Sequence, residues 1–324
     1  TLDRSSAASD VYKRQNDNIK GLLILLIGVI LIFTQDVLIK YTIFDASLMQ
    51  ILVFRGFIGF LLLAAYLTYN KQSITFRSAH PYIAIFRGST FFFGFTMFFI
   101  SLSQISLEEA TSLFFVSPFF MTIFSYFILK KKFGINRLFS ICIGFSGTIL
   151  IIKPEFNNIN VYMFFPIIAA CSYSLSMVLA KKTAANDSLF QQTFHVYIGA
   201  FIGGSIISIL IHNYDFNLSI FYILSNPWIF NDYRTLGLII FISIVGGLGL
   251  FCLIGAYRLA SPLSCSILEY IHLIFAIIVG YFIFSEIPDL YSFIGIFLIV
   301  LSGIYIVIRE NKREELMVSE TTIK

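Results

Sequence analysis

Six ionisable side chains interrupt otherwise apolar runs: Asp36, Arg55, Arg87, His195, Glu269 and His272. A charged residue at the centre of a membrane helix costs at least about 2.5 to 3.5 kcal/mol on insertion scales, so each needs a partner or a water-filled cavity. Asp36 and Arg55 fall near matching ends of successive runs, within reach of an ion pair. Arg87 and Glu269 fall at similar depths, one in each half of the chain, and could pair across the middle. Tyr270 follows Glu269, and His272 lies three residues on, on the same helical face. Facing a central cavity, these groups would present both signs of charge and ring faces to an organic molecule. The competing reading is that they neutralise one another and fix helix packing. A lone His195 near a helix end reads first as an interfacial hydrogen-bonder. Glu108 and Glu109 read as carboxylates capping a helix N-terminus.

The same inventory excludes other chemistry. The four cysteines lie in apolar runs without CxxC spacing or neighbouring histidines, so neither a disulfide framework nor a metal site is expected. With no phosphate loop and no nucleotide-binding signature, no catalytic residue and no cofactor is assigned, and coupling to ATP within the chain is not expected.

The elements that position these residues are membrane helices. Of 324 residues, 58% are hydrophobic and only 12% charged, about half the charged share of an average soluble domain. Apolar runs long enough to cross roughly 30 Å of hydrocarbon occur about ten times: Lys20–Lys40, Ser47–Tyr69, Tyr82–Ser103, Glu109–Leu129, Leu138–Lys153, Val161–Ala180, Leu189–Ile211, Thr235–Tyr257, Pro262–Phe284 and Leu290–Ile308. Their backbone groups have no partner in lipid except each other, and the alternation of barrel strands is absent, so each is predicted to be helical.

The chain also repeats itself. Residues from Ser106 to Ile152 match those from Ser261 to Val307, pairing Leu113 with Leu268, Tyr126 with Tyr281 and, upstream, Gly94 with Gly249. Lys40, closing the first run, matches Lys181, closing the sixth. Two sets of five helices must enter the membrane from opposite sides, which makes the repeats inverted, a common basis for alternating access. Lys and Arg gather in the loops that share a side with the termini, so both termini are expected in the cytoplasm. Residues 1–15 are polar and contain no apolar signal core. They are expected to be non-native carry-over or disordered, ahead of the fold.

Within the helices, Pro118 breaks a backbone hydrogen bond of the fourth run and is expected to form a kink or hinge. Glycine sets such as Gly56 with Gly59 and Gly144 with Gly147 permit close helix approach. Gly94 and Gly249, matched across the repeats, are the candidates for paired moving contacts.

The pieces FRG at Phe86–Gly88, LEEATSLFFVSP ending at Pro118, AYRLASP ending at Pro262, LEYIHLIFAIIVGYFIFSEIPD ending at Asp289, and SGIYIVIRE closing at Glu310 occur in this order. In that order the chain resembles the EamA-type members of the drug/metabolite transporter superfamily, in a branch that includes S-adenosylmethionine uptake carriers. Two positions depart from the pattern. Lys131 stands where many relatives carry a loop Glu, matched here by Glu286 in the second half only, and Ile271 and Leu273 occupy a region where many relatives have Pro.

The sequence therefore predicts an all-α membrane protein of about ten helices in two inverted five-helix repeats, residues 16–158 and 159–310, followed by a cytoplasmic tail, 311–324. The expected function is alternating-access transport of a small organic metabolite, S-adenosylmethionine-like or amino-acid-like, across the bacterial inner membrane. An exporter of amino acids or drugs is the main alternative, and a polytopic enzyme the distant one. Substrate or pathway residues are Glu269, Arg87, Tyr270, His272, Arg55 and Asp36, and hinge residues Pro118, Gly94 and Gly249. Expected partners are the metabolite, the bilayer, a coupling proton or ion and a second copy as a homodimer, with no nucleic acid.

Overall fold

A computed structural model describes the backbone of residues 2–130, 135–152, 160–213, 223–259 and 262–305, and the side chains of residues 19–130, 139–140, 142–152, 160–212, 223–256, 259 and 268–305. Among these residues every regular element is a helix, and no strand occurs. In chain order the α-helices are α1 (Leu2–Thr42), α2 (Leu48–Tyr69), α3 (Pro81–Ser101), α4 (Leu107–Phe114), α5 (Ser117–Leu129), α6 (Ile135–Ile152), α7 (Phe164–Thr183, entered through a 3-10 turn at Val161–Met163), α8 (Leu189–Asn213), α9 (Tyr233–Leu259), α10 (Pro262–Phe284) and α11 (Leu290–Tyr305).

Among the described residues, seven segments are long and apolar enough to cross a membrane, the first of them the Ile19–Thr42 part of α1, and α4 with α5 counting as one. Three shorter apolar helices, Cys142–Ile152, Leu268–Phe284 and Leu290–Tyr305, fall where the sequence predicts the fifth, ninth and tenth runs. The outer faces carry large bare side chains, such as Phe127 at 72% and Phe282 at 77% exposure. Such bare aromatic faces suit contact with lipid tails.

Local chemistry fixes the ends of these helices. Ser106 caps α4 in a reciprocal box, its hydroxyl accepting from Glu109 N while the Glu109 side chain accepts from Ser106 N, the arrangement that satisfies two otherwise unpaired amides. Glu109 is thus a cap, as its position suggested; Glu108, beside it, points into the protein. Asp232 caps α9, accepting from Arg234 N, Thr235 N and the Thr235 hydroxyl. The Thr235 hydroxyl, ahead of the backbone amides, holds its carboxyl below the usual range. The expected fourth helix is not continuous. It stops at Phe114 and restarts at Ser117 with Pro118 in the first turn of α5, the position where a missing N–H is harmless.

Helix pairing follows small residues. α1 packs on α9, α3 on α7 and α8, α2 on α8 and α9, and α10 on α1 and α4. A side chain at Gly94 would meet Ser172 Cβ at 2.8 Å, and one at Gly249 would meet Ile32 Cγ1 at 2.8 Å. Both glycines are therefore helix contacts, the first between α3 and α7, the second between α9 and α1.

Candidate functional site

One interior cluster of charge is built from α1, α2 and α10. The last turns of α1 carry Gln35 and Asp36, both essentially inaccessible. Asp36 Oδ1 accepts from Gln35 Nε2 at 2.9 Å, and its Oδ2 lies 3.4 Å from His272 Nε2 on α10. The His272 ring stands edge-on to Phe33 at 5.2 Å. Arg55, on the first half of α2, feels the Asp36 charge, while its guanidinium lies over Phe95 and Phe99 of α3, 5.2 and 5.9 Å from the ring centroids. Arg is suited to this because its flat cation stacks on ring faces and is weakly hydrated.

Gly246 of α9 closes the cluster. A Cβ there would collide with the Gln35 amide and lie 3.2 Å from Arg55 Nε, so only a glycine lets both side chains cross this point. Beside it Tyr197 donates to Gly247 O at 2.7 Å, and a cavity of about 20 Å³ is lined by Arg55, Phe91, Phe92, Phe95 and Tyr197 among others. That is room for roughly one water.

Asp36, Arg55 and His272 are thus brought together. Tyr270, two residues before His272, stacks on Phe115 with centroids 4.8 Å apart, and its hydroxyl rests against Gly303. Glu269 is partly accessible and lies close enough to Tyr270 to act on it electrostatically.

Arg87, expected opposite Glu269, has its described partners elsewhere. Its guanidinium donates to Gln192 O of α8, its own carbonyl accepts from Ser176 of α7, and Asp187 lies within electrostatic range. Asp187 accepts from the Ser78 hydroxyl at 2.7 Å and Ala79 N at 2.9 Å, binding the α2–α3 loop to the α7–α8 turn. His195 reaches Phe76 O at 3.0 Å. Arg87 therefore belongs to a clasp at one end of the bundle, and His195 is the hydrogen-bonder its position suggested.

A third cluster closes the other end. Lys40 Nζ forms an ion pair with Glu286 Oε1 at 2.6 Å, donates to Ile105 O at 2.8 Å and sits over the Phe284 ring. Glu286 Oε2 accepts from Leu107 N. Sequence inspection marked Lys40 and Glu286 only as repeat positions and overlooked Gln35, Asp187 and Gln192. The available signal was Lys40 itself, an amine at the end of an apolar run facing an acid in a short loop. Neutral Gln35 gave none.

The chain matches the EamA-like transporter family twice, over residues 19–153 and 160–309. The chain belongs to that family. It is 26% identical over 278 residues to the S-adenosylmethionine uptake transporter of Rickettsia bellii, covering 86% of this chain and 90% of that protein. It is 22% identical over 291 residues to a pseudopaline exporter of Pseudomonas aeruginosa, covering 88% and 94%. A solved crystal structure superposes with a TM-score of 0.59 at 17% identity, covering 88% of this chain and 96% of the other, and so shares the fold. With its apolar helices, this makes the protein a multi-pass bacterial inner-membrane transporter of a small molecule.

Proposed function

We propose that the protein carries a zwitterionic or cationic organic metabolite of the S-adenosylmethionine or amino-acid type, by alternating access of two inverted five-helix halves. The observation that carries the reading is the interior cluster of Asp36, His272 and Arg55 on Phe95 and Phe99. It supplies a carboxylate for an amino or sulfonium group, a guanidinium for a carboxylate, and rings for an adenine face. Glu269, a turn from His272, is a second acidic group on the same path, and Arg87 guards the route from the far end.

Support for the inverted halves comes from the helix pairing. Counting α4 with α5 as the fourth span, the contact of first with eighth span (α1, α9) becomes that of third with sixth (α3, α7) when the halves are exchanged; second with eighth becomes third with seventh, and first with ninth becomes fourth with sixth. Gly94 and Gly249 occupy equivalent contacts in this scheme. On this reading the halves are residues 16–158 and 159–310, and both termini face the cytoplasm.

The test is thermal stabilisation of the purified protein by S-adenosylmethionine, S-adenosylhomocysteine and a panel of amino acids. A ligand that stabilises the wild type is expected to bind at least about tenfold more weakly, about 1.4 kcal/mol, to both Asp36→Asn and Arg55→Gln. Unchanged binding in both variants would remove the cluster from the site. Export is the second reading, favoured by the likeness to the pseudopaline exporter. Counterflow in proteoliposomes of known orientation separates it from uptake.

A further inference from the structure

The end of the bundle closed by Lys40 contains more carboxylate than its one amine can neutralise. Glu108, the second residue of α4, is 2% exposed, and its Oε2 is buried without a hydrogen-bond partner. It points at Gly280 on α10, where an added Cβ would lie 3.0 Å from Glu108 Oε2 and 3.4 Å from Glu286 Oε2. Two carboxylates from opposite halves therefore crowd one point that a glycine leaves open.

The backbone aims Glu286 there. Ser285 ends α10 in the left-handed region at φ 56°, and Glu286 N donates back to Gly280 O at 3.0 Å. This folds the chain back over the last turns of the helix through a left-handed residue.

The charged neighbours can be named element by element. α1 supplies Lys40, already paired with Glu286 and bonded to Ile105 O. The α10–α11 turn supplies Glu286, and α10 itself carries Glu269 and His272, more than two turns from Gly280. α4 itself supplies Glu109, whose carboxylate is spent on the Ser106 cap. The described stretches of α6 and α7 against α4, residues 142–152 and 164–180, contain no Asp, Glu, Lys or Arg. The first α4 turn favours negative charge, and the Glu108 amide and the Ser106 side chain bond the Glu108 carboxyl, but Leu107 N is already given to Glu286 and Oε2 is left bare. An ionised Glu108 would leave an anionic oxygen buried beside a second anion, the arrangement in which two carboxylates cannot both stay charged.

We propose that Lys40, Glu286 and Glu108 form a proton-binding latch, in which Glu108 holds a proton beside the Lys40–Glu286 pair while this end is closed. The inference rests on the transport reading for its purpose. Parting of Lys40 from Glu286 admits water, and the proton leaves Glu108 for water on that side, giving two solvated carboxylates. Closure takes one proton back from the same side. One proton is thus bound and released for each closing and opening.

The latch can be tested without any substrate, by infrared titration of the full-length protein in lipid nanodiscs, with the proton as ligand. The wild type is expected to show a protonated-carboxyl stretch at neutral pH that disappears in Glu108→Gln and persists in Glu109→Gln, which keeps the cap. No such band in the wild type, or an unchanged band in Glu108→Gln, overturns the proposal. Should Glu108→Gln fail to fold, Glu286→Gln decides: a shift in the frequency of the band is expected, because its neighbour changes, and an unmoved band overturns the latch. A panel that finds no ligand leaves this band in place, and a missing band leaves ligand binding in place, so the two readings fail separately.

Discussion

Arg55 shows how a membrane interior keeps a cation. It sits in the field of Asp36, over two phenylalanine rings and across a glycine, so its charge is met by a carboxylate and by π faces together. Lysine keeps the charge and loses the flat surface. Arg55→Lys is therefore expected to retain the fold and to weaken ligand binding by about 0.5 to 2 kcal/mol, the range of a cation–π contact, measured by the same thermal shifts. Gly246→Ala puts a methyl where Gln35 and Arg55 cross, and overpacking of this kind costs typically about 1 to 3 kcal/mol. A lowered midpoint of thermal unfolding together with lost ligand response is the expected result. At this scale the sequence was readable through cost: a charge inside an apolar run is conspicuous, so Asp36, Arg55 and His272 stood out. Their partners did not. Arg87 finds the Gln192 carbonyl, and a backbone acceptor more than a hundred residues away leaves no mark in composition.

Helices α4 and α5 make one apolar run and two elements. The interruption at Phe115–Val116 lies on the span whose Phe115 stacks on Tyr270, so the break and the interior contact are neighbours. Pro118→Ala removes the block to a continuous helix. It is expected to raise the unfolding midpoint and to slow transport in proteoliposomes; a variant that transports at the wild-type rate would assign the break to packing alone. Gly94→Val and Gly249→Val are each expected to destabilise the protein, with similar shifts in midpoint, because they wedge equivalent helix pairs. Span positions were legible because lipid imposes a length of apolar residues and nothing subtler. The split of the fourth span was foreshadowed by its proline. Its location two residues before that proline was set by packing, which no local pattern records.

For the molecule as a whole, the proposed ten spans, an even number, would put the two termini on one side. Fusion of a fluorescent reporter that matures only in the cytoplasm to the C-terminus is expected to glow, and a phosphatase that matures only outside is expected to stay silent at the same place. The opposite pattern would invert the orientation inferred from Lys and Arg. The duplication was legible because both copies kept their small residues and their punctuation, even where other positions diverged. The pairing of helices between copies had to be seen in three dimensions.

Phe115 and Tyr270 hold equivalent places in the two copies, since the spacing that matches Leu113 with Leu268 also matches them, and they stack on each other. A contact between a residue and its own counterpart is unaltered when the copies trade conformations. Under the proposed alternating access it would serve as an axle: struts such as Lys40 with Glu286 or Asp187 with Ser78 would be undone on one stroke and restored on the next, whereas this ring pair could turn in place without letting go.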